Sequence, residues 1–156
     1  MELPIRKNTR LKDYDYTQDG IYFITICTKN KEPLFWEIPV GTTIGRPPLS
    51  GNGQIIDYAI TNIHNFYPSA EVDKYVIMPN HVHMLIRLSA NDERTLNKPR
   101  IGRIIQHFKG YASKRVGFPI WQTGFYDHVI RDEKDYLSRW KYIDENPLKW
   151  QEDELF

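Results

Sequence analysis

Ile21 to Thr28 (IYFITICT) is an unbroken run rich in β-branched and aromatic residues, a pattern that predicts a fully buried strand. Lys74 to Met78 predicts a second strand, stopped by Met78-Pro79-Asn80, and His81 to Leu88 a third. The third alternates. Val82, Met84, Ile86 and Leu88 point one way, and His81, His83, Leu85 and Arg87 the other. Phe125 to Arg131 reads as a fourth strand. Between the strands the period changes. Ile56, Ala59, Ile60 and Ile63 recur at helical intervals within Ile55 to Phe66. Pro99 stands ahead of a second helix running to about Val116, with Ile101, Ile104, Ile105, Phe108, Ala112 and Val116 on one stripe. Gly117 and Pro119 end it. Asp132 is placed to cap a last helix from about Glu133 to Asn146, and Pro147 blocks its continuation.

The order β-α-β-β-α-β-α predicts an α+β, ferredoxin-like (RRM-like) split β-α-β antiparallel sheet with an added C-terminal helix, in one domain over residues 1–156. In that arrangement the first and third strands are central and helices cover one face. The histidine-bearing side of the third strand is then expected to face an uncovered surface. Residues 1–20 are polar, with Tyr14 and Tyr16, and read as an arm that packs late onto the domain. Residues 33–53 form a turn-rich excursion around Leu34-Phe35-Trp36, punctuated by Gly41, Gly45, Pro47, Pro48, Gly51 and Gly53.

Net charge is only +1, from 21 Lys and Arg against 20 Asp and Glu, and predicts no partner. Its distribution says more. No acidic residue occurs from Arg94 to Tyr126, a stretch that carries Arg94, Lys98, Arg100, Arg103, Lys109, Lys114 and Arg115. Arg6, Lys7, Arg10 and Lys12 add to it from the N-terminal arm. Segregated basic charge is the footprint of a polyanion partner, although a solvated helix face gives the same count. Cys27 is the only cysteine, which excludes an intrachain disulfide and a cysteine-based zinc site. The N-terminus lacks a signal-peptide pattern, and no run approaches the ~18 apolar residues of a membrane span. A cytoplasmic protein without a membrane partner is expected.

His81 and His83 share a strand face, close enough to grip one cation. Two imidazoles seldom suffice for a catalytic metal, so a third protein ligand is expected. The last helix offers one: Tyr142 and Asn146 are four residues apart and stack on one helical face. They lie on the flank of a stripe made by Tyr136, Trp140 and Ile143. The bland readings are half-exposed strand histidines and a helix-capping Asn. Tyr111 and Tyr126 are rival tyrosines, but neither has a polar partner of metal-ligating type four residues on. His128 can face the site or simply stabilise the sheet, and Arg87 can contact phosphate or form a surface ion pair.

YVIMPNHVHMLIRL, from Tyr75 to Leu88, resembles the His-hydrophobe-His signature of the HUH single-tyrosine (IS200-like) transposases. WQTGFYDHVIRDEKDYLSRWKYIDENPLKW (Trp121 to Trp150) and RLKDYDYTQDGIYFITICTKN (Arg10 to Asn30) are similar to the REP-associated tyrosine transposases, the domesticated bacterial branch. The resemblance implies that His81 and His83 bind metal, that Tyr142 is the catalytic nucleophile, and that Asn146 completes the metal site. It implies Mg²⁺ or Mn²⁺ as cofactor. It also implies action on single-stranded DNA near imperfect hairpins, such as repetitive extragenic palindromes. On that reading Tyr142 attacks a phosphodiester, leaving a 5′-phosphotyrosine and a free 3′ hydroxyl that can later be rejoined. Arg6, Arg10, Arg87, Arg100, Arg103, Lys109, Lys114 and Arg115 are the expected DNA contacts, with Phe35 or Trp36 for base stacking. Two other readings stay open: a transposase of the same class that mobilises its own element, and a non-catalytic RRM-like nucleic-acid-binding module. The sequence is equally compatible with a monomer and a homodimer.

Overall fold

The computed structural model describes residues 20–37, 48–89 and 100–146. Its elements run β1 (Gly20–Cys27), α1 (Gly51–Thr61), α2 (Ile63–Phe66), β2 (Ala70–Ile77), β3 (His81–Leu88), α3 (Ile101–Val116), β4 (Tyr126–Val129) and α4 (Glu133–Glu145). The four strands form one sheet in the order β2-β3-β1-β4, antiparallel at every pairing. That is the split β-α-β arrangement, with the first and third strands central. Residues 1–19 of the arm, with Arg6 and Arg10, lie outside the described residues, as do residues 38–47 of the excursion, Arg94, Lys98, Pro99 and Pro147.

Register decides which residues share a face. Thr25 pairs with His83 and Cys27 with His81, while Ile24 pairs with Met84 and Ile26 with Val82. Tyr75 pairs with Met84 and donates its hydroxyl proton to Asp57 on α1, so the Met84 face is the one that α1 covers. Its core is apolar: Tyr22, Ile24, Ile26, Met84 and Ile86 meet Ile56 and Ile60 of α1 and Ile104, Ile105 and Phe108 of α3, all at most 2% exposed. Asp127, 2% exposed, is a charged residue on that face.

The other face departs from expectation. It is not open: α4 packs across it. Tyr142 meets Phe23 edge-on at 5.9 Å between ring centroids, and Lys74 lies 4.6 Å from the Trp140 ring centre. The added helix supplies a third layer, which leaves His81 and His83 fully buried. Polar links hold α4 there. The Tyr136 hydroxyl donates to Asp73 at 2.8 Å, Lys74 pairs with Asp144 at 3.0 Å, and His128 pairs with Asp135 at 2.7 Å. Asp132 caps the helix as its sequence position predicts, accepting from the Asp135 amide at 2.7 Å.

Three boundaries differ for identifiable reasons. α1 begins at Gly51, because Ser50 caps it by accepting from the Gly53 amide at 3.0 Å. Gly53 belongs inside the helix because the Phe35 carbonyl occupies the space a Cβ would need. β2 begins at Ala70, before a register shift between Val72 and Lys74 that interrupts the alternation. β4 is shorter than expected, although the Ile130 amide still bonds the Ile21 carbonyl at 2.9 Å. The base-stacking role assigned to Phe35 or Trp36 is also overturned. Phe35 is fully buried and Trp36 is 6% exposed, with its indole nitrogen donating to the Ile77 carbonyl at 2.7 Å. The pair anchors the end of β2.

Candidate active site

His81 and His83 leave the same side of β3, their ring centroids 4.7 Å apart. Burying two imidazoles is costly unless their polar atoms are bonded, at about 1–3 kcal/mol for each group left unpaired. Both Nδ1 atoms are engaged. The His81 Nδ1 meets Asn80 Oδ1 at 2.7 Å, and the His83 Nδ1 meets Thr25 Oγ1 at 2.8 Å. Asn80 turns its amide nitrogen toward the Lys31 carbonyl at 3.4 Å, so its oxygen faces the histidine and the His81 Nδ1 carries the proton. The Thr25 hydroxyl can serve His83 as donor or acceptor. Bonding at Nδ1 fixes both rings and makes Nε2 the nitrogen that a cation would take.

Asn80 is itself fixed by the turn that joins β2 to β3. Its carbonyl accepts from the Thr28 amide at 2.9 Å and lies 3.1 Å from the Thr28 hydroxyl. Thr28 is fully buried at the end of β1. Asn80 and Thr25 were not singled out from sequence. Asn80 has a local signal, its place immediately before His81; Thr25 is found only once the β1–β3 register is known.

Tyr142 comes from α4 and reaches this pair, its ring 5.2 Å from that of His83 and 37% exposed. Phe23 packs against both rings, stacked on His83 at 5.4 Å and edge-on to Tyr142 at 5.9 Å. The Arg139 guanidinium sits 5.0 Å from the Phe23 ring centre, so a cation stands beside the site one helical turn before the tyrosine. Asn146, the C-cap of α4, is 5% exposed, and its Oδ1 is buried with no hydrogen-bond partner. Among the described residues no three His, Cys, Asp or Glu side chains converge as a metal site. Among the described residues, a third ligand to a cation at the histidines is then of another type. The buried, unsatisfied amide oxygen has that chemistry. Two imidazole nitrogens and a carbonyl oxygen make a mixed set, compatible with a divalent ion such as Mn²⁺.

The structure thus brings His81, His83 and Tyr142 together, but it does not bring the basic helix to them. α3 lies in the other layer. Arg100, Arg103, Lys114 and Arg115 are exposed there. Lys109 is half-buried; its ammonium donates to the Gln122 and Gly124 carbonyls at 2.8 and 2.9 Å, and burial lowers its pKa. Arg87 pairs with Asp73 at 2.8 Å, which is the ion-pair alternative weighed for it, and hydrogen bonding to Asp73 raises its pKa. His128 turns to Asp135 and so ties β4 to α4.

No family model matches the chain. It is 37% identical to an uncharacterized protein of Haemophilus influenzae, over 97% of this chain and 93% of that one. It is 27% identical to the REP-associated tyrosine transposase of Escherichia coli K12, over 86% of this chain and 70% of that protein. The fold matches a solved REP-associated tyrosine transposase bound to a REP hairpin, with a TM-score of 0.67, 22% identity and coverage of 90% of this chain and 74% of that one. Sequence and fold alike are similar to those of REP-associated tyrosine transposases. Beside that likeness, the phenol of Tyr142 next to a buried histidine pair is the feature of chemical interest. Among the described residues no helix is long and apolar enough to cross a membrane.

Proposed function

We propose that the chain is a metal-dependent single-stranded DNA endonuclease and strand transferase, acting at hairpin or palindromic, REP-like DNA through a 5′-phosphotyrosine. One observation carries the reading: the Tyr142 ring lies 5.2 Å from His83, while Asn146 one turn on buries an unsatisfied oxygen. The similar proteins supply the substrate class, since the matched structure is described as bound to a REP hairpin.

His81, His83 and Asn146 would hold a divalent ion, Mg²⁺ or Mn²⁺, whose chemistry when bound is to withdraw charge from a phosphodiester oxygen. Asn80 and Thr25 hold the imidazoles in orientation. Tyr142 attacks phosphorus through its Oη; the P–O3′ bond breaks, and the phenol proton is balanced by the one the 3′ oxygen gains. The product is a tyrosyl 5′-phosphodiester and a free 3′ hydroxyl. The bond energy is conserved, so attack by another 3′ hydroxyl restores the phenol and joins two strands. Phenol needs help to ionise at neutral pH, its ordinary pKa being ~10. Arg139 beside Phe23 is the nearby positive charge of α4.

The RRM-like alternative needs an open sheet face on which bases stack. Here α4 covers that face, and Phe23 is 3% exposed beneath it. The test is incubation of the protein with Mn²⁺ and a hairpin-bearing oligonucleotide, followed by denaturing electrophoresis. A covalent protein–DNA adduct is expected. Tyr142→Phe should abolish it without loosening DNA binding; an undiminished adduct from that variant sinks the assignment.

A further inference from the structure

On the layer formed by α1, α2 and α3, away from the Tyr142 face, aromatic rings and basic groups make a continuous surface strip. Phe66, 48% exposed, meets His107 at 4.8 Å and Tyr111 at 5.2 Å between ring centroids. His107 and Tyr111 are nearly parallel, 20° apart in plane. The Arg115 guanidinium then bridges Tyr111 at 5.2 Å and Tyr58 at 5.0 Å, and Tyr58 is 51% exposed. Large exposed rings gain little from water, and none of these belongs to the site described above.

Gly110 supplies a second, independent observation. It lies in the middle of α3, exposed, with nothing within 4 Å of where a Cβ would stand. A mid-helix glycine costs stability relative to alanine, and no neighbour among the described residues requires it. It shares a helix face with His107 three residues before and Lys114 four residues after. A bare helix backbone between a ring and an ammonium lets a sugar-phosphate chain approach closely. The charge of α3 also has one sign, since the helix holds no acidic residue.

We infer that this strip is a second nucleic-acid site, which takes an unpaired DNA strand by stacking bases on Tyr58 and Phe66 while Arg115 and Lys114 meet the phosphates. It deepens the reading of the chain as a DNA-joining enzyme and rests on it for the choice of DNA. The strand held here is not the stretch being cut, because α3 and α4 lie on opposite sides of the sheet. Stacking platforms of this kind tolerate any sequence, since every base offers a π face.

The full chain is titrated with an oligothymidine of about 12 nucleotides, within the span one such platform accommodates, carrying a fluorescent label. Wild type, a Tyr58→Ala/Phe66→Ala double variant and Arg115→Gln are compared. The double variant should raise Kd by about tenfold or more, and Arg115→Gln should raise it less while flattening the salt dependence. Adduct formation on a saturating hairpin oligonucleotide should be unchanged in the Tyr58→Ala/Phe66→Ala variant. Matching circular dichroism spectra and Tm values show that the variants fold. Equal Kd values in all three proteins overturn the proposal. So does a wild-type dimer that both variants dissociate, since the strip would then be a subunit contact. Failure of the cutting reaction would show separately, as a missing adduct in wild type with the Kd differences intact.

Discussion

On the α1–α3 side of the sheet Ile24, Ile26, Met84 and Ile86 pack against aliphatic and aromatic helix residues, whereas the α4 side buries His81, His83, Thr25 and Asn146. The first side is held by area removed from water, with each fully buried aliphatic side chain worth about 1.5–3 kcal/mol. The second is held by a few directional links: Asp73 with Arg87 and Tyr136, Lys74 with Asp144, and His128 with Asp135. Only Ile143 of α4 is buried among its apolar residues, while Leu137 is 56% and Trp140 37% exposed. A helix docked this way has little hydrophobic anchorage, so its place depends on those polar links. The fold is therefore built on one face and the chemistry on the other.

The division is broken most severely from the apolar side. Ile105→Ala removes a fully buried side chain of α3 and should lower unfolding free energy by about 2–5 kcal/mol. Denaturant titration measures it. The adduct yield per folded molecule should stay near that of wild type, and a parallel collapse of chemistry in still-folded protein would mean that the faces are coupled.

Asn146→Leu is expected to act in the opposite sense. The substitution replaces a buried oxygen that has no partner with an apolar group of similar size, so the metal-free Tm should hold or rise. Wild type in Mn²⁺ at a hundred times its Kd should gain about 2.7 kcal/mol from binding. The variant should lose most of that gain. An unchanged Mn²⁺ response removes Asn146 from the ligand set, and a large metal-free destabilisation would show that its oxygen is satisfied within the fold.

Periodicity made most of this architecture legible, and β3 is the clearest case: its observed span is the one its alternation predicts. Asp132 announced α4 by its capping position. What stayed hidden depends on tertiary placement. Gly51 and Gly53 look like loop punctuation, and only the Phe35 carbonyl pressed against Gly53 explains a glycine inside a helix. The burial of His81 and His83 was missed because a sheet with helices on one side says nothing of where an extra helix docks. Tyr142 and Asn146 were legible as a pair from their four-residue spacing. The closeness of Tyr142 to His83 depends on where α4 docks, which is set by contacts such as Lys74–Asp144 between residues distant in sequence. In the sequence the strip on α3 shows as charge alone, because its rings come from three separate helices.

The smallest expected effect lies at the polar anchor of α4's first turn. Asp135 is half-buried, and burial alone would raise its pKa. The hydrogen bond from His128, the Arg131 amide and the charges of His128 and Arg139 outweigh that and hold it below its ordinary 3.8. A carboxylate with a depressed folded-state pKa stabilises the fold fully above its unfolded value, and that contribution is lost as pH falls through the folded value. Asp135→Asn should therefore be less stable than wild type by a constant margin between about pH 5 and 6, with the margin closing below about pH 4, where the unfolded carboxylate also takes its proton. Thermal melts across that range provide the comparison. A margin that persists to the lowest pH would mean that Asp135 acts by shape and not by charge. Because the same residue stands 3.7 Å from the Arg139 guanidinium, the loss should also loosen that cation over Phe23. Adduct formation would then fall modestly at neutral pH, while the apolar face and its Ile105 core remain intact.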